Sequence, residues 1–250
     1  MKYIFFLDID ETIMSNGKVH PRTENAIRRA RKEGHKVFIN TGRALSIVPE
    51  VIKKLEPDGY VCAIGTYISI GDEVVLSTLM DRELIKRLMD FSKEHSVRST
   101  IEGVNHSVSY CGLIYLEEVS SYEDMYERFP NIDVQKIVYA RPLSKSETEE
   151  LTPYVNIFNH PTYSEANLYG FSKSRAMLEV GKRLGFAKDQ TVAMGDSTND
   201  LDMLKAAGIS VAMGNAIDEV KEHATFVAPP CSEGGVGYAI EKIIWGDNDK

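Results

Sequence analysis

The apolar positions near the amino terminus fall into short runs separated by segments with helical spacing. The runs KYIFFLDI (residues 2–9), KVFIN (36–40) and YVCAI (60–64) are short and rich in β-branched and aromatic residues, which predicts buried strands. Between them, the periodicity predicts helices over residues 21–33 and 44–54. A strand–helix alternation of this kind is typical of a parallel sheet covered on both faces.

The pattern changes in the middle of the chain. Apolar stretches flank Gly71 and predict a hairpin over residues 67–76, and a helix is predicted over residues 82–93. Further on, Ser144 and Glu147 have the spacing of a capping box, which predicts the start of one of two short helices. Short strands are predicted near residues 97–101, 106–111, 134–140 and 155–159.

The first pattern returns from Lys173 onward. Helices are predicted over residues 173–184 and 199–207, and strands over 191–195 and 209–213. Shorter elements are predicted over residues 218–223, 225–227 and 236–244, and the tail 246–250 is expected to fray.

These patterns predict an α/β fold with two parts. A Rossmann-like parallel-sheet core would consist of residues 1–79 and 166–250. An inserted α+β domain would occupy residues 80–165.

The composition of the chain excludes several classes of function. The net charge of −8 argues against a nucleic-acid-binding surface, because such surfaces need clustered lysine and arginine. The three cysteines are odd in number and widely spaced, so neither a zinc site nor a disulfide framework is predicted, and a reducing cytoplasm is the expected location. No apolar run is long enough to span a membrane, so no membrane partner is expected.

Candidate chemistry is concentrated just beyond the predicted strands. The first strand runs into DIDET (residues 8–12), the second into TGR (41–43), and the strand at 191–195 into GDSTND (195–200). In an open parallel sheet, ligands bind beyond the carboxyl ends of the strands. We therefore expect these three segments to meet at one edge of the sheet.

The residue types at this edge indicate a cation and a phosphate. Aspartates gathered there would repel each other, and a hard cation with oxygen ligands, such as Mg²⁺, removes the repulsion. A phosphate group needs a donor hydroxyl, close backbone approach and a positive charge, which Thr41, Gly42 and Lys173 could supply. Arg43 is either a surface residue or a further phosphate contact. The expected partner is a small-molecule phosphate ester.

The same residues resemble the motifs of the haloacid dehalogenase superfamily of phosphohydrolases. The DxDxT motif matches residues 8–12, the threonine motif matches Thr41, the lysine motif matches Lys173, and the GDxxND motif matches residues 195–200. All four occur in order, and together they are far more specific than any one alone. The place and content of the insertion look like the Cof-type branch with a type IIB cap, and the resemblance covers essentially the whole chain.

The resemblance implies a role for each position. Asp8 would be the nucleophile that forms an aspartyl-phosphate, and Asp10 the general acid and then the base. Mg²⁺ would bind the Asp8 carboxylate, the Asp10 backbone carbonyl and the Asp196 carboxylate. The remaining implied site residues are Thr41 and Asn199 on the phosphoryl oxygens, Lys173 offsetting their charge, and Asp200 orienting Lys173 or metal-bound water.

Three positions depart from the family pattern. Glu11 stands where relatives usually have glycine, which adds an acid near the metal. Ser174 replaces the glycine that commonly follows the motif lysine. Ile64-Gly65-Thr66 stands where many relatives have Asn-Gly-Ala, and that asparagine often faces substrate.

The expected function is a Mg²⁺-dependent phosphatase for small phosphorylated metabolites, above all sugar phosphates. A sugar phosphomutase of the same superfamily is the first alternative, and a requirement for a bisphosphate activator would distinguish it. A non-catalytic phosphometabolite sensor ranks lower, because Asp8, Asp10 and Asp196 are intact. The protein is expected to be a monomer or a small homo-oligomer.

Overall fold

The computed structural model describes residues 1–112 and 116–246, which form two compact units. The first unit comprises Met1–Gly42, Val48–Val75 and the described residues from Ser172 onward. The second comprises Arg43–Ile47 and the described residues of Leu76–Phe171, somewhat more than the insertion expected at residues 80–165. Residues 247–250, which belong to the tail expected to fray, lie outside the described residues.

The amino-terminal elements alternate largely as predicted. They are β1 (Ile4–Leu7), β2 (Met14–Ser15), β3 (Lys18–Val19), α1 (Pro21–Lys32), β4 (Lys36–Asn40), α2 (Glu50–Lys53), β5 (Gly59–Cys62), β6 (Tyr67–Ile70) and β7 (Glu73–Ser77). The hairpin predicted around Gly71 is confirmed as the connection between β6 and β7.

The single helix predicted over residues 44–54 is wrong. The segment forms a 3₁₀ turn at Leu45–Ile47 and then the short helix α2. Pro49 lies between them with extended backbone angles (φ −61°, ψ 144°) and caps α2. A proline disfavours the helical conformation of the residue before it, which explains why the apolar stripe does not become one continuous helix.

The second unit contains an antiparallel sheet with helices. Its elements are α3 (Arg82–Glu94), β8 (Ser99–Gly103), β9 (Ser107–Tyr110), β10 (Glu118–Val119), α4 (Tyr122–Arg128), β11 (Val134–Tyr139), α5 (Lys145–Leu151), β12 (Asn156–Asn159) and β13 (Ser164–Asn167). The sheet order is β10-β9-β8-β11-β13-β12, and its pairs are antiparallel except for β10 with β9.

Two local features of this unit show what the sequence predicted and what it did not. The capping box at α5 is confirmed, since Ser144 Oγ accepts the Glu147 N–H at 3.3 Å and a Glu147 carboxylate oxygen accepts the Ser144 N–H at 2.7 Å. Strand β13 was not predicted, because its sequence SEAN lacks β-branched and aromatic residues.

The carboxy-terminal part returns to the first pattern, as predicted. Its elements are α6 (Lys173–Arg183), β14 (Thr191–Gly195), α7 (Leu201–Ala206), β15 (Ile209–Ala212), α8 (Asp218–Glu222), β16 (Phe226–Val227) and α9 (Gly235–Trp245).

The sheet of the first unit brings three site-bearing strands together. Its order is β16-β15-β14-β1-β4-β5-β6-β7, and β1 pairs in parallel with both β14 and β4. Leu7 at the end of β1 is level with Met194 and Ile39 on the two neighbouring strands. All four residues of β1 are fully buried, as the apolar run predicted. The carboxyl ends of β14, β1 and β4 therefore meet at one edge.

Two expectations from composition can be compared with the structure. Cys62, Cys111 and Cys231 are free thiols, as their spacing indicated. Among the described helices, none has the length and apolar character needed to cross a lipid bilayer.

Candidate active site

Asp8 lies at the start of the loop that leaves β1. Its N–H donates to the Met194 carbonyl at 3.1 Å, which continues the parallel pairing by one residue and fixes the backbone. Its side chain is buried, with a residue exposure of 6 %, and one oxygen accepts a hydrogen bond of 2.7 Å from Lys173 Nζ. The apolar strand thus places a carboxylate at the sheet edge beside a positive charge.

Lys173 is the first residue of α6 and is fully buried. A cation in the first helical turn is disfavoured by the helix dipole, so the surroundings must compensate for it. They do so through two carboxylates, since Nζ also donates to Asp200 Oδ1 at 2.7 Å. The helix start is anchored from β4, where the Asn40 side-chain amide donates to the Lys173 carbonyl at 3.1 Å.

Asp200 organises the turn that follows β14. Its Oδ2 accepts the backbone N–H groups of Asp196 at 3.0 Å and Ser197 at 3.2 Å, while its Oδ1 accepts the Lys173 ammonium. Gly195 allows this close approach, because a Cβ at that position would lie 2.4 Å from Asp200 Cγ. Both carboxylate oxygens of Asp200 are therefore committed to holding the site together.

Asp196 is tied to the loop after β1. Thr12 Oγ1 donates to Asp196 Oδ1 at 3.0 Å, which links the first and last motifs directly. Carboxylate oxygens of Asp8, Asp196 and Asp200 lie within 4.8 Å of one another. An all-oxygen donor set of this density fits a hard cation such as Mg²⁺.

The electrostatics of the cluster also favour a bound cation. Burial raises the pKa of Asp8 to about 8, with further increases from Asp200 and Asp196, while Lys173 opposes the rise. Burial, followed by the charge of Asp200, raises the pKa of Asp196 to about 6. Burial alone would lower the pKa of Lys173, but the charges of Asp200 and Asp8 outweigh it and raise that pKa. Ionisation of Asp8 and Asp196 is thus disfavoured in spite of Lys173, and a bound cation would favour their charged forms.

Thr41 follows β4 directly and is buried. Its N–H donates to the Val61 carbonyl at 2.9 Å, and its carbonyl accepts the Ile64 N–H at 3.3 Å. This second bond comes from a turn in which Ala63, Ile64 and Gly65 all have positive φ (46°, 55° and 92°). A β-branched residue in this region is unusual, so the backbone of this turn is strained at Ile64.

The other predicted site residues lie as follows. Asn199 is in the 3₁₀ turn Thr198–Asp200, where its Oδ1 accepts a 2.7 Å hydrogen bond from Ser197 Oγ. Asp10 is exposed in the loop after β1, and Gly42 is half-buried after Thr41. Arg43 belongs to the second unit, where its guanidinium donates to the Ile47 carbonyl at 3.3 Å. Phosphate contacts of Asn199, Gly42 and Arg43 stay predictions, as do the acid–base and metal-binding roles of Asp10.

Sequence reasoning missed two residues that support the site. Asn40 was treated only as the end of a strand, yet its fully buried amide anchors the start of α6. An asparagine that closes an apolar strand could have signalled this role, because a buried amide needs partners. Thr12 was read only as part of a motif, and its bond to Asp196 was visible only in three dimensions.

Comparison with known proteins identifies the family to which a chain with this fold and this aspartate cluster belongs. Residues 5–240 match the family model of haloacid dehalogenase-like hydrolases, and the chain belongs to that family. The prediction from the four motifs is thereby confirmed, and the protein is a phosphatase of this superfamily, a phosphoric monoester hydrolase.

Individual relatives resemble the chain over nearly its full length. The 5-amino-6-(5-phospho-D-ribitylamino)uracil phosphatase YcsE of Bacillus subtilis is 31% identical, with 95% of this chain and 94% of that protein covered. The phosphoglycolate phosphatase of Nitrosopumilus maritimus is 26% identical, with 97% and 96% covered. The solved structure of the subclass IIB sugar phosphatase BT4131 matches with a TM-score of 0.81 and 26% identity over 97% of this chain and 99% of that one.

Proposed function

We propose that this protein is a Mg²⁺-dependent phosphatase that hydrolyses small phosphate esters through an aspartyl-phosphate on Asp8. The proposal depends on the buried cluster in which Lys173 Nζ donates to Asp8 and Asp200. A carboxylate oxygen of Asp196 lies within 4.8 Å of carboxylate oxygens of both aspartates. This cluster contains a carboxylate nucleophile, a cation for phosphoryl charge and oxygen ligands for a metal. Phosphoryl transfer needs mainly positioning and electrostatic stabilisation, so the set is sufficient.

The metal would be held by the carboxylates of Asp8 and Asp196 and the backbone carbonyl of Asp10. Asp200 is assigned a supporting role, because both of its oxygens already accept hydrogen bonds from Lys173 and from backbone N–H groups. When bound, Mg²⁺ supplies charge stabilisation to the transferring phosphoryl group.

The reaction divides between two aspartates. A carboxylate oxygen of Asp8 attacks phosphorus and forms the acyl-phosphate bond, while the bond between phosphorus and the ester oxygen of the substrate breaks. Asp10 donates a proton to that oxygen, which leaves as the alcohol. Water then attacks the same phosphorus, Asp10 accepts its proton, and phosphate leaves as Asp8 is restored. Asp10 is exposed and Asp8 is buried, which suits a proton carrier and a positioned nucleophile.

The substrate class follows from the relatives. Two of them are named for phosphorylated small molecules, and the structural neighbour BT4131 is described as a sugar phosphatase. We propose small phosphorylated metabolites, with sugar phosphates first, as the substrates of this chain.

The test is phosphate release from a panel of small phosphate esters, with Mg²⁺ and with EDTA. Wild type is compared with Asp8→Asn and with Asp189→Asn, which changes an exposed carboxylate in the same unit. We expect phosphate release that requires both the metal and Asp8 and that is retained in Asp189→Asn. Release by a clean Asp8→Asn preparation would refute the nucleophile. No phosphate release from any ester, together with isomerisation of a sugar monophosphate that requires a sugar bisphosphate as activator, would indicate the mutase instead.

A further inference from the structure

The loop between β1 and β2 contains a non-glycine residue in the left-handed region. Glu11 has φ +52°, and it follows Asp10, whose carbonyl is a proposed metal ligand. Glycine adopts this conformation freely, whereas a residue with a Cβ does so only when its surroundings hold it there. The question is what holds Glu11.

Both peptide groups that flank Glu11 are bonded. Its N–H donates to the Met14 carbonyl at 2.9 Å, within the same loop. In a trans peptide the carbonyl points opposite to the N–H, so this bond also sets the direction of the Asp10 carbonyl. On the other side, the Glu11 carbonyl accepts a hydrogen bond of 2.8 Å from the side-chain amide of Asn215, which lies far away in sequence.

Asn215 is itself attached to the other metal-binding segment. It lies in the loop 213–217 after β15, in which the Met213 N–H donates to the Gly195 carbonyl at 3.1 Å and the Ile217 N–H donates to the Asp196 carbonyl at 3.3 Å. Its amide oxygen accepts the Cys231 N–H at 2.8 Å, which orients the amide toward Glu11. One side chain thereby connects the backbone around Asp196 with the backbone after Asp10.

We propose that Asn215 is a positioning residue for the magnesium site, which keeps Glu11 left-handed and so holds the Asp10 carbonyl and the Asp196 loop in register. This inference rests on the proposed function, because it takes Asp10 and Asp196 as metal ligands. The same contact explains how the chain holds glutamate, which has a Cβ, in the left-handed region. Without the Asn215 amide, the peptide after Glu11 keeps only the 3.3 Å hydrogen bond from its Thr12 N–H to the Ile9 carbonyl, so it can turn more easily and relieve the unfavourable φ.

The primary test is the Mg²⁺ dissociation constant of Asn215→Ala, measured by titration calorimetry without substrate. Partners that orient metal ligands typically affect metal affinity by about 10–100-fold, so about tenfold weaker binding is expected. The matched control is Asn105→Ala in the second unit, where the asparagine amide also joins two backbone groups, the Asn131 carbonyl at 2.6 Å and the Asp133 N–H at 3.1 Å. Its Mg²⁺ affinity should equal that of wild type.

A double-mutant cycle with Glu11→Gly identifies the route of the effect. If Asn215 acts by holding Glu11, Asn215→Ala should weaken Mg²⁺ binding less in the Glu11→Gly background than in wild type. The two fold-changes should differ by at least about threefold. If Asn215→Ala does not fold, as judged by circular dichroism, Asn215→Ser replaces it in both arms of the cycle. If the loss of Mg²⁺ affinity caused by Asn215→Ala is the same in the Glu11→Gly background, the proposal is overturned and the effect of Asn215 runs through Cys231.

The outcomes separate this inference from the proposed function. If wild type and Asn215→Ala both bind Mg²⁺ with equal affinity, only the proposed role of Asn215 is overturned. Wild type that does not bind Mg²⁺ overturns the proposed metal site, and the inference with it.

Discussion

Lys173 Nζ donates a 2.7 Å hydrogen bond to Asp8 Oδ1, and this contact joins residues 165 positions apart in the chain. Both side chains are buried, so neither charge can be stabilised by bulk water. The pair therefore supports the structure as well as the proposed chemistry. Its removal should affect the stability of the fold and the turnover together.

Replacement of Lys173 by methionine should abolish turnover and destabilise the protein. The variant leaves Asp8 and Asp200 without their cation, and removal of one partner from a buried ion pair typically costs about 3–5 kcal/mol. Urea unfolding at pH 8 would measure the loss. The control Lys182→Met, at an exposed position of the same helix, should change the free energy of unfolding by less than about 0.5 kcal/mol. Equal stability of the two variants would contradict the argument.

Asp10→Asn and Asp196→Asn should separate chemistry from metal binding. Asp10 is proposed to bind Mg²⁺ through its backbone, so Asp10→Asn should lower turnover by about 10²–10⁴-fold and leave Mg²⁺ affinity nearly unchanged. Asp196→Asn removes a carboxylate ligand and should weaken Mg²⁺ binding strongly. Calorimetry with Mg²⁺ and a turnover assay on both variants provide the measurement. The assignment fails if the two substitutions weaken Mg²⁺ binding equally.

Gly195→Ala should disrupt the turn that carries Asp196. The new Cβ would lie 2.4 Å from Asp200 Cγ, so Asp200 must move away from the N–H groups it accepts. Overpacking of this kind costs about 1–3 kcal/mol, which denaturant unfolding would detect. Gly181→Ala in α6 is the matched control, because its Cβ would meet only Thr191 Cγ2, at 3.8 Å. A helical alanine there should be neutral or stabilising, by up to about 1 kcal/mol.

Glu147 should make the stability of the protein depend on pH in the acid range. The Arg141 guanidinium, at 2.9 Å and 2.6 Å, and the Ser144 N–H lower the pKa of Glu147 to about 2. The folded state then binds fewer protons than the unfolded state, so this stabilisation is complete above the ordinary pKa of 4.5 and is lost as the pH falls toward 2.

Calorimetric unfolding of Glu147→Gln between pH 6 and pH 2.5 tests this expectation. The variant should be less stable than wild type at pH 6, and the difference should shrink toward pH 2.5. Glu149→Gln, at an exposed position of the same helix, should follow wild type throughout. A difference between Glu147→Gln and wild type that stays constant with pH would show that the carboxylate charge of Glu147 does not contribute.

The fold was largely predictable wherever local pattern and tertiary packing agree. The apolar run of β1 predicts a strand because it is short and rich in aromatic residues, and the spacing around Ser144 predicts the start of α5. Prediction was wrong at residues 44–54, where Pro49 overrides an apolar stripe. It failed at β13, whose polar residues form a strand because they pair with β11 and β12, a condition that local sequence does not encode.

The sequence by itself determined which residues could take part in the chemistry and at which sheet edge they would meet. Aspartates that follow apolar strands can only emerge at the carboxyl edge of a parallel sheet, so Asp8 and Asp196 were predicted to meet there. Tertiary structure alone decided how Lys173 divides its bonds between Asp8 and Asp200 and how Asn215 reaches Glu11. These contacts depend on distances between segments that are remote in the chain, and such distances are set only when the helices and strands pack.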